Sequence, residues 1–459
     1  MTSQREAAWS NLRRAFDVRR RRMVRRSRHV WLSRTLWNRR LVFIAGSLVV
    51  GVVAVLFALA ATLANHALHA ILERFPLAPF VLAPAAFAVI AWAGRRWFDG
   101  AQGSGIPQTI AALNYASAPL RNALLSLRVA GGKIAFTLLG LVCGASIGRE
   151  GPTVQIGAAI MHSLSRVSHF PHESMKRGLI LAGGAAGVAA AFNAPLAGVV
   201  FAIEEMSRSF SQRTSGIVIT AVVIAGIVSL ALLGNYAYFG HTDATLDLGA
   251  GWAAVVLCGS IGGILGGISA RLLVAAGTSL PGSLGVLRRN RPIAFAALCG
   301  VALALVGVVS GNTIYGTGYA ETRAIIAGSG EVPATFGLLK LAATVVSYAS
   351  GIPGGIFAPS LAIGAGIGQD VALLLPGAPV AAVVILGMVG YFAGVVQAPI
   401  TAFVIVIEMT RDTNMALPLM AVSLIAHGFS RLVSPHPLYK TLARGFRPAG
   451  LPPGAARPE

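Results

Sequence analysis

Charged residues are scarce in this chain of 459 residues: they make up 12% of it, whereas hydrophobic residues make up 55%. This balance excludes an ordinary water-soluble domain, because a single folded core could not hide so much apolar surface from water. Cysteine is scarce too, and Cys143, Cys258 and Cys299 lie in apolar surroundings without the spacing of metal ligands or short disulfides. Neither redox chemistry nor a thiolate metal site is indicated, and the nine histidines form no metal-binding cluster.

Acidic residues number 16 against 37 Lys and Arg, and the excess of positive charge is concentrated at the ends of the chain. Thirteen of the first forty residues are Arg, ahead of an apolar run that begins at Leu41. By the positive-inside rule, residues 1–40 are predicted to form a cytoplasmic arm that lies against anionic headgroups, and no nucleic-acid partner is expected. The basic tail, 431–459, is expected on the same side. The run 41–72 is too long for the apolar core of a cleavable signal peptide.

Apolar segments then follow one another to about His427, and several are shorter than the ~20 residues of a simple crossing. Glycine and proline interrupt them, as in 103–107 and 351–355. Irregular backbone at membrane depth is tolerated only where it is buried in protein or lines a cavity. The sequence therefore predicts an all-α integral membrane protein of tilted and re-entrant helices.

The chain also contains an internal repeat. Residues 183–195 (GGAAGVAAAFNAP) match 387–399 (GMVGYFAGVVQAP), and 152–158 match 359–365. Two homologous halves, 41–278 and 293–430, are predicted, with a linker over 279–292. If both termini are cytoplasmic and each half crosses an odd number of times, the halves have inverted topology. In inverted-repeat transporters the site lies where matching broken helices meet near the midplane.

Three loops share one design, in which glycines free the backbone, a proline follows and an apolar helix begins. They are GSGIP at 103–107, GREGP at 148–152 and GIFAP at 355–359. Unpaired N–H groups and the positive end of the helix dipole favour an anion at such a helix start. Glu150 places a carboxylate at one of them, where it can imitate a bound anion and be displaced by it. Its protonation would then be coupled to anion occupancy.

These loops, in this order and with FAIEEM at 201–206, QAPITAF at 397–403 and HPLY at 436–439, resemble the CLC family of chloride channels and chloride/proton exchangers. The resemblance implies that the hydroxyls of Ser104 and Tyr439 and the N–H groups of Ile356 and Phe357 hold chloride. Glu150 would be the external gating glutamate and Glu205 the internal proton-transfer glutamate. The full anion-binding set that it implies is Ser104, Gly105, Gly148, Arg149, Gly151, Gly355, Ile356, Phe357, Ala358 and Tyr439.

Within the family, Glu205 favours an exchanger over the alternative, a passive voltage- or pH-gated chloride channel. Ser104 favours chloride over nitrate, and Ser104 with Phe357 sets the chain apart from fluoride exchangers. The resemblance further implies a homodimer with one pathway per subunit, no cofactor beyond the transported chloride, and a multi-pass protein of a bacterial inner membrane without nucleotide-sensing domains.

Structural alternatives remain open for several of these residues. Arg149 and Glu150 could form a buried ion pair, Ser104 could be a turn or cap residue, and Tyr439 could be an interfacial tyrosine. Glu205 could be a solvated charge at the membrane surface.

Other residues keep undecided roles. Glu204 aligns with Glu408 across the repeat, which predicts a shared structural task such as capping. Lys133 and Lys340 could snorkel, pair with a carboxylate or raise the local potential. An intramembrane serine protease would need a base beside Ser104 or Ser146, and none is near in sequence.

Overall fold

The computed structural model describes residues 33–115, 117–167, 172–207, 212–242, 244–247, 250–329 and 332–446. Residues 1–32 of the predicted arm and 447–459 of the predicted tail therefore lie outside the described residues. Across the described ranges the regular structure is helical, and extended pairing is confined to two isolated bridges. The prediction of an all-α fold is confirmed.

The first half of the chain forms nine α-helices within the described residues. They are α1 (Arg34–Arg74), α2 (Pro79–Trp97), α3 (Ile106–Asn114), α4 (Ala118–Leu124), α5 (Leu127–Val142), α6 (Glu150–Val167), α7 (Glu173–Phe192), α8 (Pro195–Phe201) and α9 (Gln212–Leu233). A π-helix over Ala202–Ser207 continues α8. Proline lies in the first turn of α2, α3, α4 and α8, where its missing N–H would have no helical partner.

From residue 250 onward the chain repeats this series of long and short helices, although residues 250–277 lie inside the range 41–278 that was predicted for the first half. The helices are α10 (Ala250–Gly277), α11 (Gly282–Asn290), α12 (Pro292–Val309), α13 (Tyr319–Ile326), α14 (Phe336–Ala349), α15 (Phe357–Leu374), α16 (Val380–Val396), α17 (Pro399–Thr410), α18 (Ala416–Val433) and α19 (Leu438–Arg444). Helix α11 lies inside the stretch predicted as a linker. The matching ends of α7 and α16 are both closed by a residue with positive φ, Asn193 and Gln397.

Eight of the described helices are long and apolar enough to cross a bilayer. Their outward faces carry large apolar side chains such as Leu63, Leu305 and Leu424, which are suited to contact with lipid. By contrast, α7 is buried from Gly178 to Phe192 and α16 from Ala382 to Val396. These two matching helices form the centre of the protein, and the shorter helices end beside them.

Glycine allows α7 and α16 to pack closely against their neighbours. A Cβ atom on Gly157 of α6 would overlap the carbonyl of Gly183 on α7, and a Cβ on Gly364 of α15 would lie 2.6 Å from the carbonyl oxygen of Gly387 on α16. Close backbone approach through small residues is typical of helix packing in membranes. The same contact at the same place in both halves reflects their common fold.

The two halves contact each other through the loops that precede α6 and α15. The N–H of Gly148 donates to the carbonyl of Gly355 at 2.6 Å, and the N–H of Gly355 donates to the carbonyl of Gly148 at 2.7 Å. This reciprocal pair is antiparallel, which is the pairing that a local two-fold axis produces. The starts of α6 and α15 are thereby held side by side in the interior, as the inverted-repeat prediction requires.

Candidate functional site

The loop that carries Ser104 is fixed by two buried side chains. The N–H of Gly105, which has a φ of 100° and caps α3, donates to Oε1 of Gln108 at 3.0 Å. Lys133 is fully buried, and its ammonium group donates to the carbonyl of Gly103 at 2.8 Å. Gly105 therefore occupies the cap position, and the Ser104 hydroxyl is left for another task.

Glu150 is the first residue of α6 and is fully buried. Its carboxylate lies over Gly148, where a Cβ added to that glycine would overlap the carboxylate. The backbone N–H groups of Glu150, Arg149 and Ala358 interact electrostatically with the carboxylate. Ala358 belongs to the first turn of α15. The carboxylate thus sits between two helix N-termini, at a place where their dipoles favour negative charge.

The start of α15 supplies Ile356 as its cap, followed by Phe357. The Phe357 ring is fully buried in a cage of aromatic rings, with centroids 4.8 Å from Phe392, 5.6 Å from Phe201 and 6.0 Å from Tyr439. Contacts of this kind fix the ring and the backbone that carries it. The first N–H groups of α15 are therefore presented in one orientation.

Two hydroxyl groups face this helix start. Tyr439, in α19, is fully buried, Ser104 is 1% exposed, and neither hydroxyl has a protein hydrogen bond of normal geometry within the described residues. The two side chains are close enough to interact. A Cβ on Gly151 would lie 2.5 Å from the Ser104 oxygen, which places that hydroxyl against the first turn of α6.

Buried hydroxyls are normally hydrogen bonded, so two such groups side by side are suited to donate to a ligand that accepts from both. Backbone N–H groups at two helix starts add positive potential without placing a cation in the site. Such an arrangement suits an anion that must bind and also leave. The carboxylate of Glu150 lies at the same pair of helix starts and is itself an anion in that position.

Glu204 and Glu205 are consecutive residues of the π-helix, so their side chains point in different directions. Glu205 is 1% exposed and acts electrostatically on Tyr439. Glu204 accepts hydrogen bonds from the N–H groups of Ile400 and Thr401 at the start of α17. Single π-helical turns are often found at functional sites.

Glu408 makes the reciprocal contact. Its carboxylate accepts from the N–H groups of Leu196 at 3.0 Å and Ala197 at 2.7 Å, at the start of α8. Each half therefore caps a helix of the other half. The predicted shared structural task of Glu204 and Glu408 is confirmed as reciprocal capping.

Arg149 is separated from the hydroxyl pair. Its guanidinium donates to the carbonyl of Ala58 and, at 3.1 Å, to Thr62, and its Nε lies 4.0 Å from the Glu150 carboxylate without a hydrogen bond. Arg149 and Glu150 are thus a loose pair. The structure brings Ser104, Gly151, Gly355, Phe357 and Tyr439 together and turns Arg149 towards a separate cavity.

Sequence reasoning did not find the roles of Lys133 and Lys340. Neither side chain snorkels, since both are fully buried, and Lys340 donates to the carbonyls of Ile314, Tyr315 and Gly316. The spacing of the repeat could have predicted a shared role, because Lys133 and Lys340 are separated by the same number of positions as Pro152 and Pro359. Both lysines hold a glycine-containing loop at the start of a short helix.

Comparison with known proteins gives a consistent result. The sequence model of the family described as "Voltage gated chloride channel" matches residues 85–431. The H(+)/Cl(-) exchange transporter ClcA of Vibrio vulnificus (strain YJ016) is 32% identical over 376 residues, covering 76% of this chain and 75% of the relative. ClcA of Vibrio parahaemolyticus serotype O3:K6 is 33% identical over 359 residues, with the same coverage.

Solved structures are similar as well. The crystal structure of a slow cyanobacterial Cl-/H+ antiporter superposes with a TM-score of 0.75 at 27% identity, covering 88% of this chain and 97% of the other. A CLC-type fluoride/proton antiporter superposes with a TM-score of 0.73 at 24% identity, covering 87% of this chain and 97% of the other, and supports the fold alone.

Proposed function

Because the chain belongs to the family of voltage gated chloride channels, we propose that it is a transporter that exchanges chloride for protons across a membrane. The observation that carries this proposal is the pair of buried hydroxyls, Ser104 and Tyr439, at the start of α15, with the buried carboxylate of Glu150 beside them. The curated relatives that this chain resembles are named H(+)/Cl(-) exchange transporters.

Chloride would be held by the two hydroxyls and by the N–H groups of Ile356 and Phe357. Such neutral donors replace part of the hydration shell without the strong attraction of a full cation. Release therefore remains fast enough for transport. Gly355, the partner of Gly148 in the antiparallel bridge, keeps this binding surface in register with the start of α6.

Glu150 would compete with chloride for the neighbouring helix N-termini. As a carboxylate it occupies the anion's place, and as a neutral acid it loses its attraction to the two dipoles and gives way. Anion binding and proton binding at this residue are then linked thermodynamically, since each changes the free energy of the other. An exchanger requires such a linkage, whereas a passive channel does not.

Glu205 would deliver protons from the cytoplasmic side. It is buried, acts on the same Tyr439 phenol as Glu150 does, and lies on the π-helix and not in the loops that hold the anion. The proton would then enter by a route distinct from that of chloride.

The proposal is tested in sealed vesicles with purified protein, an imposed chloride gradient and a pH indicator. Chloride moving down its gradient should drive protons in the opposite direction, up their own gradient, and a proton ionophore should collapse that difference. Protein-free vesicles are the control. Chloride movement without uphill proton movement would instead establish the passive channel.

Family membership also supports three finer assignments that belong to this proposal. The protein would reside in a bacterial inner membrane, would have both termini in the cytoplasm, and would form a homodimer with one complete pathway in each subunit. The hydroxyls, the helix starts and Glu150 that form the candidate site all come from one chain, as a pathway within each subunit requires.

A further inference from the structure

Helix α11 lies at one surface of the membrane, because it connects two helices that are long and apolar enough to cross it. Those helices are α10, which ends at Gly277, and α12, which begins at Pro292. The end of α2 lies at the same surface, since Arg95 near that end and Arg288 of α11 are close enough for their charges to interact. A short turn joins α1 to α2, so α1 begins at this surface as well.

Positive charge accumulates at this surface without local compensation. Five arginines come from the end of α2 and from α11 with its C-cap, namely Arg95, Arg96, Arg288, Arg289 and Arg291. Arg288 is half-buried and donates to the carbonyl of Ala276, and the other four are exposed. Among the described residues none of the five forms an ion pair, and Asp99, the acidic residue nearest in sequence, contacts Gln102. Clusters of this kind attract anionic lipid headgroups.

A groove of about 580 Å³ lies on α11 beside these arginines. Its lining combines the apolar side chains of Leu284, Val286 and Leu287 with the polar side chains of Ser283, Asn290 and Arg291. Leu284 and Val286 are exposed, which is unfavourable for a helix that faces only water. Apolar side chains beside arginines on one short helix are typical of a helix that lies in the headgroup region of a membrane.

Two tryptophans on α2 give an independent indication of depth in the membrane. Trp92 and Trp97 are both exposed, and their rings pack edge-on with centroids 4.8 Å apart. Trp97 ends α2 and directly follows Arg96. Exposed tryptophan is enriched where acyl chains meet headgroups. The neighbouring arginines therefore lie at the level of lipid phosphates.

We propose that the groove of α11 binds an anionic phospholipid, with its acyl chains against Leu284 and Val286 and its phosphate at Arg291. The other four arginines supply the surrounding positive potential. A headgroup with a net negative charge is favoured over a zwitterionic one, because the arginines lack neighbouring carboxylates that would balance them or attract a lipid amine. This lipid site is separate from the anion pathway and does not depend on which ion is transported.

The test counts the lipids bound to the full chain in detergent by native mass spectrometry. The chain is titrated with phosphatidylglycerol, or with phosphatidylcholine that has the same acyl chains. The wild type should bind phosphatidylglycerol more tightly. The double variant R289Q/R291Q should bind phosphatidylglycerol about 25-fold more weakly, since each arginine at a charged membrane surface contributes about fivefold. Its binding of phosphatidylcholine should be unchanged.

R74Q/R323Q is the matched control, because it removes two exposed arginines at the opposite surface of the membrane. Arg74 ends α1, and Arg323 belongs to α13, beyond the crossing made by α12. This variant should bind phosphatidylglycerol as the wild type does. Equal losses in the two double variants, or equal binding of the two lipids by the wild type, would overturn the proposal. So would an electron cryo-microscopy map in phosphatidylglycerol nanodiscs in which the groove is empty or filled by protein.

Discussion

At the scale of single residues, the two neighbouring carboxylates Glu204 and Glu205 have different roles. Glu204 is half-buried and accepts from the N–H groups at the start of α17, whereas Glu205 is buried and acts electrostatically on Tyr439. A buried ionisable side chain at membrane depth is a candidate for proton transfer. Because the two residues are adjacent, the same substitution made at each of them gives a matched pair of variants.

We predict that Glu205→Gln moves chloride with little proton movement, because an amide cannot carry the proton. Glu204→Gln should keep the wild-type ratio of protons to chloride, because the amide oxygen still accepts from α17. Chloride and proton fluxes are measured in the same vesicle preparation. A normal ratio in Glu205→Gln would contradict the assignment of that residue.

Lys133 is a positioning residue for Ser104 and touches the loop, not the anion. Lys133→Met should leave the carbonyl of Gly103 unpaired and lower the free energy of unfolding by about 1.5–3 kcal/mol. Chloride affinity should fall with it, as measured by titration calorimetry. Lys176→Met is the control, since Lys176 forms a surface ion pair with Glu173. Equal effects of the two substitutions on stability and chloride affinity would contradict the positioning role of Lys133.

At the scale of helices, the reciprocal caps explain how two short helices keep their starts in place. The start of α8 is capped by Glu408 of α17, and the start of α17 by Glu204 of the π-helix that continues α8. Both helices begin with proline after an alanine at the N-cap position, so neither has a capping side chain of its own. The caps therefore come from the other half of the molecule.

Glu408→Ala should lower the stability by about 1 kcal/mol, the usual cost of losing a helix cap. Thermal unfolding in detergent measures the change. Glu73→Ala, at an exposed position near the end of α1, should leave the melting temperature unchanged. A stability for Glu408→Ala equal to that of Glu73→Ala would show that the cap has no structural importance.

Helix starts were predictable where glycine, proline and an apolar run coincide. Helices α6 and α15 begin inside GREGP and GIFAP, the motifs from which their starts were predicted. Helix α13 was missed, because it is short, carries Glu321 and Arg323, and has no proline at its start. Its likeness to α3 becomes visible only when Lys340 is seen to bind its loop.

At the scale of the whole molecule, the repeat explains why the loops converge. The antiparallel bridge between Gly148 and Gly355 lies between the two halves, so the starts of α6 and α15 must be neighbours. The sequence predicted this meeting from matched motifs. It could not predict the direction of Arg149, because that depends on where α1 presents the carbonyl of Ala58, a contact between distant segments.

The proposed homodimer is tested by the protein mass in detergent, measured by light scattering with the detergent contribution subtracted. Two chains per particle are expected over a wide range of protein concentration, because the resemblance to the family implies a homodimer. A particle that contains a single chain would contradict the homodimer and leave the pathway within each chain intact.

The central claim is that the Glu150 carboxylate takes the place of an anion at two helix starts and thereby couples protons to chloride. The most direct measurement is the simultaneous recording of chloride and proton flux in vesicles containing Glu150→Gln, with Glu73→Gln as the control. Chloride should still move in Glu150→Gln while proton movement falls to the level of protein-free vesicles, and Glu73→Gln should match the wild type. Uphill proton transport by Glu150→Gln at the wild-type ratio would contradict the claim.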